Sequence, residues 1–151
     1  MLFLVRDLKA RDIRRATFIR ASAQQVYDLI ATADGLDRWF TVGASVDPSP
    51  GGRIVYRWKN WGPDRVSTES HGTVYEARPP HRFVFDWDAG DGQQVTAEFD
   101  IEPAEGGVVL RLREHGFDAT PAGIEARVRQ AAGWGEAMTL IKFMAEHGIH
   151  Y

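Results

Sequence analysis

Between Arg53 and Glu114 the chain alternates apolar and polar residues in four separate segments, and this constrains its fold more than any other feature. Arg53 to Trp58 sets Ile54, Tyr56 and Trp58 on one face. Arg82 to Trp87 sets Phe83, Phe85 and Trp87 against Arg82, Val84 and Asp86. Gln94 to Ile101 gathers Val95, Ala97, Phe99 and Ile101, and Val108 to Glu114 sets Leu110 and Leu112 against Arg111 and Arg113. A period of two belongs to a strand with one buried face. Thr68 to Ala77 reads as a further strand, interrupted at Gly72 and stopped by Pro79-Pro80. The connections at Asn60 to Arg65, Ala89 to Gln93 and Gly106-Gly107 are short and carry turn chemistry. The pattern predicts an antiparallel meander whose wet face carries Arg53, Arg57, Arg82, Arg111 and Arg113.

Such a sheet must bury its apolar side against another layer. The last third of the chain supplies one. Thr120 caps a helix that starts at Pro121 and runs to about Glu146, and His147-Gly148 ends it. Ala131, Gly135 (or Trp134), Met138, Ile141 and Ala145 fall on the side toward the sheet, and Arg127, Arg129, Lys142 and Glu146 on the other. Ahead of the meander, Ile13 to Arg20 reads as a strand. Ser22 and Gln25 have capping-box spacing before a helix that turns Val26, Leu29 and Ile30 inward. Thr32 to Gly35 breaks that helix, Leu36 to Phe40 forms a second short helical turn, and Asp47 to Gly52 is a loop. A length of 151 residues suits one domain, expected over residues 13–151. Residues 1–12 are an N-terminal extension of uncertain role. Its Leu2, Phe3, Leu4, Val5 and Leu8 are apolar enough to pack on the body or on a partner.

Several function classes fall away on composition. The net charge is −3, and no basic run exceeds Arg14-Arg15, so no nucleic-acid partner is expected. Without cysteine there are no disulfides, zinc thiolates or cysteine nucleophiles. The apolar start Met1 to Val5 runs straight into Arg6 and Asp7, too short for a signal peptide or a membrane span. The expected location is cytoplasmic, with no membrane insertion. His71, His81, His115, His147 and His150 lack metal-ligand spacing, and no phosphate-binding, dinucleotide or serine-nucleophile motif occurs. No metal and no cofactor are expected.

Five short motifs stand in an order that resembles a known family. They are Arg38-Trp39-Phe40, Pro50-Gly51-Gly52-Arg53, Gly72 to Phe85, Glu114-His115-Gly116-Phe117 and Gly133-Trp134. Together, over about residues 13–147, they resemble the homologues of the activator of the 90-kDa heat-shock protein ATPase, within the START-like (SRPBCC) superfamily. Two positions depart from that pattern. Ala21-Ser22 replaces the family's Ala-Pro, and His115 stands where serine is common. The resemblance implies an α+β helix-grip (START/Bet v 1-like) fold: a curved antiparallel sheet around a long C-terminal helix, with two short helices after the first strand. It also implies an apolar cavity between sheet and helix, and polyketide cyclase-like and lipid-carrying neighbours. Fold alone does not fix function within such a group.

The expected cavity set is Trp39, Phe40, Tyr56, Trp58, His71, Phe85, Trp87, Phe99, Leu112, Glu114, Trp134, Met138 and Ile141. Large aromatics fill cores and also line ligand cavities. Glu114 continues the inward period of Leu110 and Leu112, so it is either a buried carboxylate or a rim residue paired with an arginine. If buried, its pKa rises and it can orient a ligand or exchange protons. His71 is read either as a residue near the cavity mouth or as plain surface, His115 as a lesser candidate, and His81 as a surface turn residue. Arg38 and Arg57 either greet an anionic ligand or belong to a solvated face.

Three functions compete. The first is binding of a small hydrophobic ligand (lipid, polyketide or aromatic metabolite) in an internal cavity. The second is a cyclase, dehydratase or hydrolase using Glu114 with His71 or Tyr56; the enzyme question leans to no. The third is a chaperone-activating interaction domain. It ranks last because such cochaperones carry an additional N-terminal domain for which this chain has no room. A homodimer is compatible with all three.

Overall fold

The structure is a computed structural model that describes residues 11–150. The packing expected of Leu2, Phe3, Leu4, Val5 and Leu8 lies outside these residues. Strand β1 (Ile13–Ile19) leads into helices α1 (Ala23–Ala31) and α2 (Ala33–Asp37). Then come β2 (Ser45–Val46), β3 (Arg53–Trp61), β4 (Val66–Arg78), β5 (Arg82–Asp88), β6 (Gln94–Ala104) and β7 (Gly107–His115). Helix α3 (Pro121–His147) closes the chain. The seven strands form one curved, open antiparallel sheet in the order β1-β7-β6-β5-β4-β3-β2. This is the α+β helix-grip architecture that the alternation and the motifs predict.

Local chemistry explains the boundaries. Ser22 and Gln25 make the reciprocal capping box at α1, with Ser22 Oγ accepting from the Gln25 N–H at 3.2 Å. Thr32 caps α2 through the Gly35 N–H, so the supposed break is itself the start of the second helix. Thr120 caps α3 with Pro121 behind it, and Gly148 ends the helix in the left-handed conformation (φ 66°).

The inner face of the sheet and one side of α3 share a single core. Phe83, Phe85, Leu110 and Ile141 are inaccessible to solvent, and Trp134, Ala137, Met138 and Met144 close it from the helix. Trp134, not Gly135, faces the sheet; Gly135 is exposed. The outer face is laced with ion pairs. Arg82 reaches Glu76, Glu98 and Asp100, while Arg113 reaches Asp12 and Glu98. Partial burial alone would raise the Glu98 carboxyl, but Arg82 and Arg113 hold it below its ordinary value.

Strand β4 differs most from its sequence reading. It runs unbroken through Gly72, and β3 continues to Trp61 before the turn begins. A Cβ on Gly72 would lie 1.6 Å from the Asp86 carbonyl oxygen, so glycine serves close approach here, not interruption. The irregularity comes two residues later, as a bulge between Val74 and Glu76.

Candidate functional site

Strand β4 pairs fully with β5 at one end only. Ladder pairing joins Val74–Arg78 to Arg82–Phe85. Toward Val66, side chains replace backbone pairing. Ser70 Oγ donates to the Asp88 carbonyl at 2.8 Å and accepts the Asp88 N–H at 3.1 Å. Asp86 Oδ1 accepts the Thr73 N–H at 2.7 Å. A hydroxyl thus spans a gap that a backbone pair would close, and the β3–β4 arm stands away from β5.

The gap opens into a cleft of about 520 Å³ between this arm, the β5–β6 turn and the middle of α3. Its walls carry five aromatic rings: Phe40, Trp58, Trp61, Trp87 and Trp134. Val66, Thr68 and Ser70 come from β4. Gln130, Gly133 and Ala137 come from α3. Glu69, Asp88, Arg129 and Glu136 stand among the polar lining residues. The rings touch in a chain: Phe40 meets Trp58 and Trp61 at 5.3 and 5.2 Å, Trp58 meets Trp87 at 6.0 Å, and Trp87 meets Trp134 at 5.5 Å between centroids. A cleft of this size suits a small organic molecule.

One layer beneath lies Glu114, fully buried. Its Oε2 accepts the Trp87 Nε1 N–H at 2.9 Å and its Oε1 accepts a Gln130 Nε2 N–H at 3.1 Å. Trp134 Nε1 also faces the carboxyl, but it makes no well-formed hydrogen bond. No cation reaches Glu114 among the described residues. Burial therefore pushes its pKa up, and the neutral N–H donors oppose that only in part. Burial also pushes the Tyr56 hydroxyl well above its ordinary value, helped by the charge of Glu114. Tyr56 stays a neutral phenol.

The expected cavity set does not stay together. Phe40, Trp58, Trp87 and Trp134 line the cleft. Trp39, Tyr56 and Phe99 surround only a void of about 10 Å³, too small for anything beyond a single water. Phe85, Leu112, Met138 and Ile141 are packed core and line neither the cleft nor the void. The space between sheet and helix is thus largely filled, and the open volume sits at one end.

His71 requires a correction. It points to the outer face, opposite the inward Ser70, with Nδ1 2.8 Å from Arg53 Nη2 and Nε2 3.0 Å from Glu69 Oε1. Its period-two phase excludes any pairing with Glu114. Arg57 is on that same face, bound to Glu69 and the Gly43 carbonyl, and Arg38 does not line the cleft. His115 contacts Glu98 outside, and His81 is an exposed turn residue.

Sequence reasoning missed Gln130, Trp61, Ser70, Asp88, Arg129, Gly133 and Glu136. For Gln130 a signal existed. It lies one helical turn before Trp134, so it shares the face turned to the sheet.

The family model for activator of Hsp90 ATPase homolog 1-like protein matches residues 20–146. The chain belongs to this family. No curated protein sequence matches it. Solved structures share the fold at low identity. The Aha1 dimer from Colwellia psychrerythraea superposes with a TM-score of 0.74 at 19% identity, covering 91% of this chain and 98% of that one. CalU16 from Micromonospora echinospora gives 0.71 at 18%, covering 92% and 78%. DynU16, of the dynemicin biosynthetic locus, gives 0.75 at 14%, covering 91% and 48%. At such identities the likeness is one of fold, the helix grip. The family's Gly-Trp pair falls in mid-helix here, at Gly133-Trp134, where both residues line the cleft; α3 itself begins at Pro121.

Proposed function

We propose that this protein binds a small, largely apolar organic molecule in the aromatic cleft. The observation that carries this reading is the cleft itself: about 520 Å³ bounded by five aromatic rings, with a buried carboxylate behind two of its lining residues. These rings border open space as well as the core. They offer flat apolar surface to a planar ligand. Structures on the same fold include a protein of the dynemicin biosynthetic locus, which supports a small organic metabolite as ligand class.

Gly133 provides a clean test. It lies on α3 in the cleft wall, and a Cβ there meets nothing within 4 Å. Gly133→Leu projects a bulky side chain from the cleft wall, starting from a Cβ that touches nothing. It also gains about 1 kcal/mol of helix propensity. Wild type should show a thermal shift and a change in tryptophan fluorescence with at least one member of a panel of lipids, aromatic metabolites and polyketides. Gly133→Leu should fold and lose the response. Silence of the wild type across the whole panel would refute the reading.

The buried Glu114 favours a second reading, in which it acts as general acid or base on the bound molecule. Its partner would be Tyr56, since His71 lies on the other face. Product formation from the ligand found above, lost in Glu114→Gln with binding retained, would establish this activity; unchanged turnover would exclude it. A relative solved as a dimer supports homodimerisation. Light scattering should then give twice the chain mass of 16.9 kDa.

A further inference from the structure

We infer that the ligand is an organic cation, an amine or quaternary ammonium borne on an apolar body. This rests on the cleft being the binding site. Glu69, Asp88 and Glu136 are lining residues, and the Glu69 carboxylate turns away to the outer face, which leaves Asp88 and Glu136 at the mouth. Arg129 is the single basic lining residue, and it is already engaged. Its Nη2 lies 2.6 Å from Asp91 Oδ2, and its Nη1 lies 3.5 Å from Glu125 Oε1. The Asp88 carboxylate accepts the Gly90 N–H, and neither Asp88 nor Glu136 has an ion-pair partner among the described residues. Glu69 shares its charge with Arg57 and His71. The mouth therefore carries net negative charge.

The interior agrees with the mouth. Glu114, one layer beneath, is fully buried and held by neutral donors only, so among the described residues no cation of the protein sits behind the floor. Above it lie the faces and edges of five aromatic rings. Aromatic faces carry negative quadrupole density and attract weakly hydrated cations. Carboxylates around an apolar cleft of low dielectric focus that field further. An anionic ligand, such as a fatty acid, would meet Asp88 and Glu136 and find no free guanidinium; Arg57 is bound to Glu69 and the Gly43 carbonyl.

Three probes of one shape separate the possibilities: 4-phenylbutyl-trimethylammonium, its neutral tert-butyl carbon isostere, and 5-phenylpentanoate. Calorimetric titration into the full chain at low salt should rank the cation first, about tenfold tighter than the neutral isostere. The carboxylate should bind most weakly. Added salt should shrink the cation's advantage. Asp88→Asn combined with Glu136→Gln should weaken the cation and leave the neutral isostere unchanged. Equal binding of cation and isostere would overturn the inference while leaving the cleft as a binding site. Tightest binding by the carboxylate would do the same. Binding by none of the three would overturn the cleft reading and this inference together.

Discussion

Glu114 illustrates how a single residue's setting becomes a measurable property. Unfolded, its carboxyl titrates at the ordinary value. Folded, burial raises that value. Stability from this group is therefore full below the ordinary carboxylate range and is lost as pH rises through the folded pKa. Glu114→Gln removes the titration. The amide oxygen can still accept from Trp87, and its NH2 can donate to Gln130 once the Gln130 amide flips to present its oxygen. Above the carboxylate range the variant should gain on the order of 1 kcal/mol, or about 2–4 °C in Tm for a chain of this size. Melting curves from pH 4 to 8 should show the wild type losing ground to the variant as pH climbs. Parallel curves would mean that Glu114 titrates normally. Gly72 gives the opposite case. Gly72→Ala drives a methyl into the Asp86 carbonyl, a backbone atom that cannot swing aside. Urea titration should show a loss of about 2–4 kcal/mol.

Among the elements, β5, β6 and β7 were legible because each has one buried face, which forces a period of two. The ends of α1 and α3 were legible because Ser22 and Thr120 satisfy N–H groups that every helix leaves free. β4 was harder. Its glycine looks like a break in the sequence, and only the neighbouring strand reveals that it is a close approach. The cleft was legible only in part. Phe40, Trp58, Trp87 and Trp134 were identifiable as large aromatics, but Phe85 and Phe99 looked no different. Which rings face open space depends on where β4 leaves β5, and that is set by Ser70 bridging both backbone groups of Asp88. The phase of His71 was recoverable, since Arg57 and Glu69 are cross-strand partners on the wet face. Ser70→Ala should cost about 1–3 kcal/mol by stranding part of the Asp88 backbone. Hydrogen exchange should speed up at Asp88 and along the β3–β4 arm, and an unchanged rate there would show that water replaces the hydroxyl without loss.

Seen as a whole, the molecule pairs a filled core with one open end, and the two should respond differently to a ligand. β1, β7 and the second half of α3 pack through Ile13, Ile19, Ile141 and Met144, all buried. The cleft end relies on side-chain bridges and on an arm without a full ladder. A ligand binding only the folded state at a hundredfold excess over its Kd should add about 2.7 kcal/mol to global stability. For a chain of this size that is about 5–10 °C in Tm. Local openings report where it binds, because only segments touching the ligand gain protection beyond the global shift. Exchange should therefore slow most in β3–β4 from Trp58 to Ser70, in the Asp88–Gly92 turn, and around Gln130–Ala137. The amides of β1 and β7 exchange by global opening and should change only by the global amount. Extra protection concentrated at β1 or at the C-terminal turn of α3 would place the ligand away from the aromatic cleft.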